Sequence, residues 1–468
     1  MQNIPDLVTY YSLTPTEYAN TVFHCTECDR DHKIPFEVVH SGENLLLLIP
    51  EIINGILQGT PKNIGVIYDQ HIENKLVSLF FIPFGELELP FTRLPIGQKG
   101  HLLEASIEIG DHLADSIPED IDILIGVGSG VICDLTKWIA TRLHLPFLIM
   151  GTAASMNAYT SITGTMTENN VKSTRWLDPA KAVLMDSALI ASAPHEMTCA
   201  GVGDLLARQV ANADWKLSQI IRGTFFCPVP YQMMTTFQDQ FLPVVGKLHG
   251  RDFEAMEKLS DAILASGYSM TILDGETSPS SGSEHIISHF FDFQHEIFEK
   301  PKNLHGAQVG IGTILMSTAF EILHEMDPAH FDIDQIIHRR LSQMAIQFDT
   351  RRIFGDYHGV FDQVLAKKWI PDDEFRAYIS KIFNTWEDLW QEIQPFLMPA
   401  DKIRQAMTAV GGCTKLKDVQ RTTEDALQAL LYGSHYRPRY TILDLYWELG
   451  LFPQYGQVIL EKADVLTE

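Results

Sequence analysis

The alternation of short apolar runs with stretches of helical spacing between residues 37 and 193 limits the possible folds more than any other feature of this chain. The predicted strands are 63–69, 78–84, 122–128 and 145–152, and the predicted helices are 97–115 and 131–143. Apolar runs without a polar alternation are typical of strands covered on both faces, as in a parallel sheet. This segment therefore predicts an α/β domain with a Rossmann-like parallel sheet.

The pattern changes after Pro194, where nearly every segment has helical spacing. Examples are the segments 204–221, 253–273, 306–323 and 424–436. We therefore predict a nucleotide-binding α/β domain over 37–193 and an all-α domain over 194–468, preceded by an N-terminal extension, 1–36. An active site is expected in the cleft between the two domains.

Composition restricts the partners and the compartment. The chain has 60 acidic and 35 basic residues and a formal charge of -25. A protein with so large a negative charge repels nucleic acid and anionic lipid, so we expect neither as a partner. A phosphorylated substrate would need lysine or arginine side chains at its binding site. The six cysteines are too few and too scattered for a disulfide framework. With no evident leader and no apolar stretch of membrane-spanning length, we expect a cytoplasmic protein.

A glycine-rich turn follows the predicted strand 122–128. Gly126, Gly128 and Gly130 let the backbone approach a pyrophosphate, and the next helix directs its N-terminal amides toward it. The spacing is not G-x-G-x-x-G, because Val131 occupies the third glycine position. A tight turn without a ligand is the alternative.

Three polar residues near strand ends are candidates for contacts with a nucleotide. Asp69 ends a predicted strand, and Thr152 and Ser155 follow another one. A carboxylate at such a position can accept hydrogen bonds from a ribose, and the hydroxyls can bind ribose or phosphate. The alternative for all three is the capping of a turn or helix.

Three segments of the helical half carry potential metal ligands. Asp204 and His305 each lie beside a glycine at the start of a helix, and His285 and His289 share one helix face because they are four residues apart. One carboxylate and two imidazoles make a three-ligand site that Zn²⁺, Fe²⁺ or Ni²⁺ accepts, with a position left for water or substrate. The alternative is a set of ordinary caps and surface histidines.

These segments resemble a known family. The motifs GVGSGVICDLTKWIA, GTAASMNAYTS, CAGVGDLLARQVANADWKLS and SGSEHIISHFFDF, followed by KPKNLHGAQVG, occur in the order found in the glycerol-1-phosphate dehydrogenases of the iron-containing alcohol dehydrogenase superfamily. The bacterial branch is the most similar, and the resemblance extends over roughly residues 40–452. It implies a dehydroquinate synthase-like fold.

The resemblance also implies roles for individual residues. The implied ligands of one divalent metal (Zn, Ni or Fe) are Asp204, His285 and His305. The implied contacts of NAD or NADP are Asp69, Gly128, Ser129, Gly130, Thr152, Ser155 and Lys172. The implied residues near the reacting atoms are His289, Asn157 and Lys172. The expected reaction is hydride transfer between NAD(P)H and dihydroxyacetone phosphate or sn-glycerol 1-phosphate, with Lys172, Arg175 and Arg208 as candidates for binding the phosphate, in a homo-oligomer.

One departure from the family pattern affects the substrate. Asn157 and Ala158 stand where the family usually has aspartate and glycine; an amide cannot act as a base, and a methyl group keeps a ligand farther away. An inactive metabolite-binding relative is therefore one alternative. A 3-dehydroquinate synthase-like lyase is another, although its carboxylate ligand is a glutamate where this chain has Asp204.

The N-terminal extension contains Cys25-x-x-Cys28, flanked by His24 and His32. A structural zinc site needs four ligands, so the other two would be these histidines or residues from elsewhere. Two reduced cysteines in a turn are the expected state.

Overall fold

The computed structural model describes residues 1–97, 103–168 and 171–466, and the side chains of Val171 and Lys172 lie outside the described part. The chain divides into two compact units. The first unit comprises Met1–Gly201 and Cys227–Thr277, and the second unit comprises Val202–Phe226 and Ser278–Glu468. The predicted domain ranges 1–36, 37–193 and 194–468 stay a prediction.

All strands of the described chain belong to the first unit. They are β1 (Gln2–Asn3), β2 (Thr21–Cys25), β3 (Arg30–Ile34), β4 (Val38–Gly42), β5 (Ile64–Asp69), β6 (Phe91–Ile96), β7 (Ile123–Gly128), β8 (Phe147–Gly151), β9 (Thr163–Glu168), β10 (Val171–Trp176) and β11 (Ala182–Asp186). Six of them form one sheet in the order β4-β11-β8-β7-β5-β6. Every pair in this sheet is parallel.

The parallel sheet follows from the apolar runs of the sequence. Every residue of β7, β8 and β11 is buried, as expected for strands covered on both faces. The predicted strands 63–69, 122–128 and 145–152 are confirmed as β5, β7 and β8, and the predicted helix 131–143 is confirmed as part of Gly130–Leu143. The predicted fold class, a parallel α/β sheet followed by helices, is also confirmed.

The α-helices of the described chain make up most of the remainder. They are α1 (Leu7–Tyr11), α2 (Pro15–Tyr18), α3 (Ile49–Leu57), α4 (Glu73–Leu76), α5 (Ile82–Gly85), α6 (Ile107–Ser116), α7 (Gly130–Leu143), α8 (Ser187–Ala191), α9 (His195–Leu206), α10 (Arg208–Arg222), α11 (Val229–Phe241), α12 (Phe253–Thr271), α13 (Ser283–Phe298), α14 (His305–His324), α15 (Ile333–Arg339), α16 (Gln343–Phe354), α17 (His358–Lys368), α18 (Asp372–Asn384), α19 (Trp386–Ile393), α20 (Ala400–Val410), α21 (Thr423–Tyr436), α22 (Ile442–Glu448) and α23 (Gln454–Lys462).

The predicted strand 78–84 is wrong, because this segment is helical. A π-helical turn, Val77–Phe81, continues into α5. Phe80 and Phe84 are one helical turn apart and stack at 5.0 Å between ring centroids, so the apolar run packs as a helix face. The predicted helix 97–115 is partly corrected: α6 begins at Ile107, with Ser106 as its cap, and 98–102 lie outside the described residues.

The second unit contains helices and no strand among its described residues. The predicted helices 306–323 and 424–436 are confirmed, as is 253–273 in the first unit. The predicted helix 204–221 is partly corrected, because α9 ends at Leu206 and α10 begins at Arg208. By length and composition α14 is apolar enough to cross a bilayer, which corrects the expectation that no such stretch exists. However, 89% of its most apolar window is buried inside the structure, as in a core helix.

Asp186 generates a prediction about the stability of the first unit. Its buried carboxylate accepts hydrogen bonds from the backbone of Ala188 and Leu189 at the start of α8 and from Leu45. Asp186→Ala leaves these donors without an acceptor, so we expect a loss of about 1–3 kcal/mol in a calorimetric unfolding experiment. Asp332→Ala removes an exposed helix cap and serves as the control. Equal losses in the two variants would contradict the role of burial.

Candidate metal and nucleotide sites

Three helices of the chain bring one carboxylate and two imidazoles together. His285 lies in the first turn of α13 and His305 at the first position of α14, whereas Asp204 lies in the last turn of α9 and not at a helix start as predicted. The Nε2 atoms of His285 and His305 lie 3.3 and 3.8 Å from Asp204 Oδ1. One ligand atom from each residue lies within 4.8 Å of the others. All three belong to the second unit, and their role as metal ligands stays a prediction.

A hydrogen bond at Nδ1 orients each of the two imidazole rings. Nδ1 of His285 lies 2.7 Å from Glu284 Oε1, and Nδ1 of His305 lies 3.2 Å from Ser288 Oγ. Each Nε2 is thereby directed toward Asp204, which is the usual arrangement of histidine ligands. Glu284 and Ser288 are not among the residues predicted from the sequence; the only available signal is that an acidic residue directly precedes His285.

The electrostatics of this cluster favour a cation. Asp204 is 1% exposed and His285 is 7% exposed. Burial lowers the pKa of His285, but the hydrogen bonds to Asp204 and Glu284 outweigh it and raise the pKa to about 9. Two buried carboxylates therefore stabilise positive charge at this point. The donor set and its charge fit a divalent ion such as Zn²⁺, Fe²⁺ or Ni²⁺.

Glycines allow the helices that carry these residues to approach closely. A Cβ on Gly203 would lie 2.3 Å from the carbonyl oxygen of Gly306, and a Cβ on Gly312 would lie 2.5 Å from that of Glu284. Both contacts are with backbone atoms, which cannot rotate away. The cluster therefore depends on glycine at positions adjacent to its ligands in sequence or space.

Asp214 fixes the start of α13. Its two carboxylate oxygens accept hydrogen bonds of 2.7 Å from the backbone of Ser283 and of Ile442, so one side chain caps α13 and α22. Burial, and then the nearby Glu284, raise the pKa of Asp214 to about 7. The position of His285, two residues after Ser283, thus depends on a buried carboxylate that sequence analysis did not identify.

His289 lies beside the cluster but outside the set of three. Its ring centroid is 6.2 Å from that of His285 and 5.6 Å from that of His305. This half-buried position is near enough for contact with a substrate at the cluster. Its predicted catalytic role stays a prediction.

The glycine turn of the first unit brings most of the predicted nucleotide contacts together. Gly128 ends β7, and α7 begins at Gly130. Ser129 Oγ lies 2.6 Å from Ser155 Oγ, and the backbone N–H of Thr152 donates to the carbonyl of Gly128 at 3.0 Å. The turns after β7 and β8 therefore form one polar edge before the N-terminus of α7.

Asp69 ends β5, the strand next to β7. Its carboxylate accepts a hydrogen bond from the backbone of His71 at 2.9 Å and lies 2.7 Å from His71 Nδ1. In this structure Asp69 therefore caps the turn that follows β5. Because Asp69 also lies at the carboxyl end of a parallel strand, its carboxylate is in a position where a ribose can bind.

Two buried residues, Lys137 and Tyr159, hold the loop between β8 and β9. Lys137 donates to the carbonyl oxygens of Ala158 and Thr163, at 2.8 and 3.1 Å. Tyr159 donates to the carbonyl oxygen of Ala153 at 2.7 Å, and burial raises the pKa of its hydroxyl. Asn157 is buried in this loop.

The three candidate phosphate-binding cations differ in their surroundings. Arg175 forms an ion pair with Glu168 on the neighbouring strand. Lys172 lies opposite Thr167 in the same hairpin, and its side chain lies outside the described residues. Arg208 is buried in the second unit.

Comparison with known proteins gives matches to dehydrogenases in sequence and in structure. A family model for iron-containing alcohol dehydrogenase matches residues 60–194. The chain is 26% identical to the glycerol-1-phosphate dehydrogenase (NAD(P)+) of Bacillus licheniformis over 93% of this chain and 95% of that protein. It is 36% identical to the enzyme of the same name from Pyrococcus furiosus over 41% of this chain and 54% of that protein. The solved structure of glycerol dehydrogenase from Schizosaccharomyces pombe shares the fold, with a TM-score of 0.56 and 17% identity over 94% of this chain and 95% of that one.

Gly203→Ala tests the close approach of the helices. The added methyl group overlaps the carbonyl oxygen of Gly306, so we expect a loss of stability of about 1–3 kcal/mol and weaker binding of zinc in a chelator competition. Gly359→Ala in α17 is the matched control, because its Cβ would meet no atom within 4 Å. Zinc affinity unchanged in Gly203→Ala would contradict this interpretation.

Glu284→Gln tests the orientation of His285. The amide keeps the shape of the side chain but removes the charge that holds Nδ1–H, so we expect zinc affinity to fall by about 10- to 100-fold in the same competition. Glu321→Gln, on α14 and hydrogen-bonded to the backbone of Ala400, is the control carboxylate. An affinity equal to that of the unaltered protein would show that Glu284 does not orient the ring.

Proposed function

Because the chain belongs to the iron-containing alcohol dehydrogenase superfamily, we propose that it is an NAD(P)-dependent oxidoreductase acting on a polyol phosphate. The substrate pair that we propose is dihydroxyacetone phosphate and sn-glycerol 1-phosphate, or a similar ketose and polyol phosphate. The convergence of Asp204, His285 and His305 is the observation that carries this assignment. The names of the relatives from Bacillus licheniformis and Pyrococcus furiosus support the substrate class.

We propose that Asp204, His285 and His305 hold one divalent metal. A metal bound there supplies a Lewis acid that polarises the carbonyl or hydroxyl oxygen of the substrate. Glu284 and Ser288 keep the two imidazole rings in the orientation that ligation requires. His289, whose ring lies beside those of His285 and His305, can accept or return the proton of the substrate hydroxyl.

For the nicotinamide cofactor, NAD or NADP, we propose the turn at Gly128, Ser129 and Gly130. The amides at the start of α7 would hold the pyrophosphate, because the dipole of this helix favours negative charge at its N-terminus. Ser155 and Thr152, which contact this turn through hydrogen bonds, would bind the phosphate or the ribose. Asp69 at the end of β5 is our candidate for the adenosine ribose.

The substrate phosphate requires cations because the chain as a whole is acidic. We propose Lys172, Arg175 and Arg208 as candidates for this role, because they lie nearest in sequence to the nucleotide and metal motifs. Asn157 can donate and accept hydrogen bonds to a substrate hydroxyl, but it adds no negative charge that would repel the phosphate. We also propose a cytoplasmic location and a homo-oligomeric state.

A spectrophotometric assay tests the proposed function. With Zn²⁺ or Ni²⁺ and NADH or NADPH present, addition of dihydroxyacetone phosphate should lower the nicotinamide absorbance. His285→Ala should reduce the rate to the background, because the cluster loses a ligand, whereas His338→Ala, which alters an exposed histidine, should not.

Parallel assays with glycerol, dihydroxyacetone and other ketose phosphates define the substrate. Turnover by metal-stripped His285→Ala protein would contradict the metal-dependent mechanism. Release of inorganic phosphate without net consumption of NADH would favour a lyase. Binding of nucleotide and metal without any turnover would favour an inactive relative altered at Asn157 and Ala158.

A further inference from the structure

We propose a second metal site, a structural zinc ion bound by Cys25, Cys28, His32 and Cys227. All four residues belong to the first unit, and the site contains none of the residues assigned to the oxidoreductase. This inference stands independently of the proposed function. Three thiolates and one imidazole form a complete ligand set for structural zinc, which leaves no position open for a substrate.

The distances between the ligand atoms match those around a tetrahedral zinc ion. Zinc about 2.3 Å from sulfur and about 2.0 Å from nitrogen holds two sulfurs about 3.8 Å apart, and a sulfur and a nitrogen about 3.5 Å apart. Here the sulfurs of Cys25 and Cys227 are 3.9 Å apart. Nε2 of His32 lies 3.6 Å from the sulfur of Cys28 and 3.5 Å from that of Cys227. All four ligand atoms lie within 4.8 Å of one another.

The β2–β3 hairpin explains why His32, and not His24, joins the cysteines. His32 is paired with Phe23 across the hairpin, and Cys25 lies two residues after Phe23, so the three side chains share one face. That face is buried, as the side chains of Phe23, Cys25 and His32 show. His24 points to the opposite, exposed face, where it contacts Asp29 and Asp31.

The ring of His32 is held in the tautomer that a metal ligand needs. Its Nδ1 lies 2.8 Å from the carbonyl oxygen of Ile272, which can only accept, so Nδ1 carries the hydrogen. Nε2 therefore directs its lone pair toward the sulfurs of Cys28 and Cys227. Histidine ligands of zinc usually donate their other N–H to a carbonyl or carboxylate in this way.

A disulfide does not account for this arrangement. A bonded pair of sulfurs is about 2.05 Å apart, whereas those of Cys25 and Cys227 are 3.9 Å apart. Zinc would instead connect the N-terminal hairpin to the segment before α11, across a sequence separation of 202 residues. Closing so long a loop restricts the unfolded chain, so the site would stabilise the first unit.

Zinc content measured by mass spectrometry separates this site from the other cluster. The unaltered protein, purified from cells grown in zinc-supplemented medium, should contain about two zinc ions per chain. The Asp204→Ala variant should retain about one. Adding Cys227→Ser to Asp204→Ala should remove the remaining ion and lower the Tm by several degrees. Cys413→Ser, which alters a half-buried cysteine outside the cluster, is the matched control and should retain the ion.

Cobalt substitution provides a second measurement that does not depend on folding of the cysteine variant. Asp204→Ala protein loaded with Co²⁺ should show the intense thiolate-to-cobalt charge-transfer and d–d bands of a tetrahedral sulfur-rich site. Retention of tightly bound zinc together with these bands supports the proposal. Asp204→Ala protein without zinc, a cobalt spectrum without thiolate bands, or a peptide map showing a Cys25–Cys227 disulfide would overturn it.

Discussion

The buried carboxylate of Asp204 is the group around which the ligand cluster of the second unit is arranged. Burying a carboxylate is costly unless charge or hydrogen bonds compensate it. Here two imidazoles face it, and each is oriented from behind by Glu284 or Ser288. The result is a compact cluster whose charge favours a cation, and the helices approach so closely there because glycines at 203 and 312 leave room for neighbouring backbone.

The elements proposed to bind the nucleotide in the first unit depend on a different constraint, the geometry of a parallel sheet. Neighbouring parallel strands end at the same edge, so the turns after β7 and β8 lie side by side, and Ser129 contacts Ser155. The buried lysine Lys137 then holds the loop that contains Asn157 and Ala158 through two carbonyl groups. The polar side chains of this unit are therefore positioned mainly by the arrangement of the backbone, and less by interactions between charges.

The two proposed metal sites differ in how many of their ligands can be recognised from the sequence alone. In the second unit Asp204 and His305 each lie directly beside a glycine, and His285 follows Gly282 by three residues, so the pattern is visible in sequence. The N-terminal cluster has one visible pair, Cys25 and Cys28, while Cys227 lies in a segment with no motif of its own. From the sequence we therefore expected two reduced cysteines in a turn. The third sulfur, that of Cys227, lies beside them only in the folded chain.

The sequence by itself determined the strands β5, β7 and β8, the long helices, the glycine turn and the candidate ligands Asp204, His285 and His305, because periodicity and short motifs are local properties of a chain. Tertiary structure decided what depends on distant contacts. It made the aromatic run 78–84 helical, because Phe81 packs against Tyr68 and Phe84 packs against Phe91, which lie in other elements. It also placed Asp214 at the start of α13 and brought Cys227 to the N-terminal hairpin. Such contacts join residues far apart in sequence, and only the packed chain specifies which of them meet.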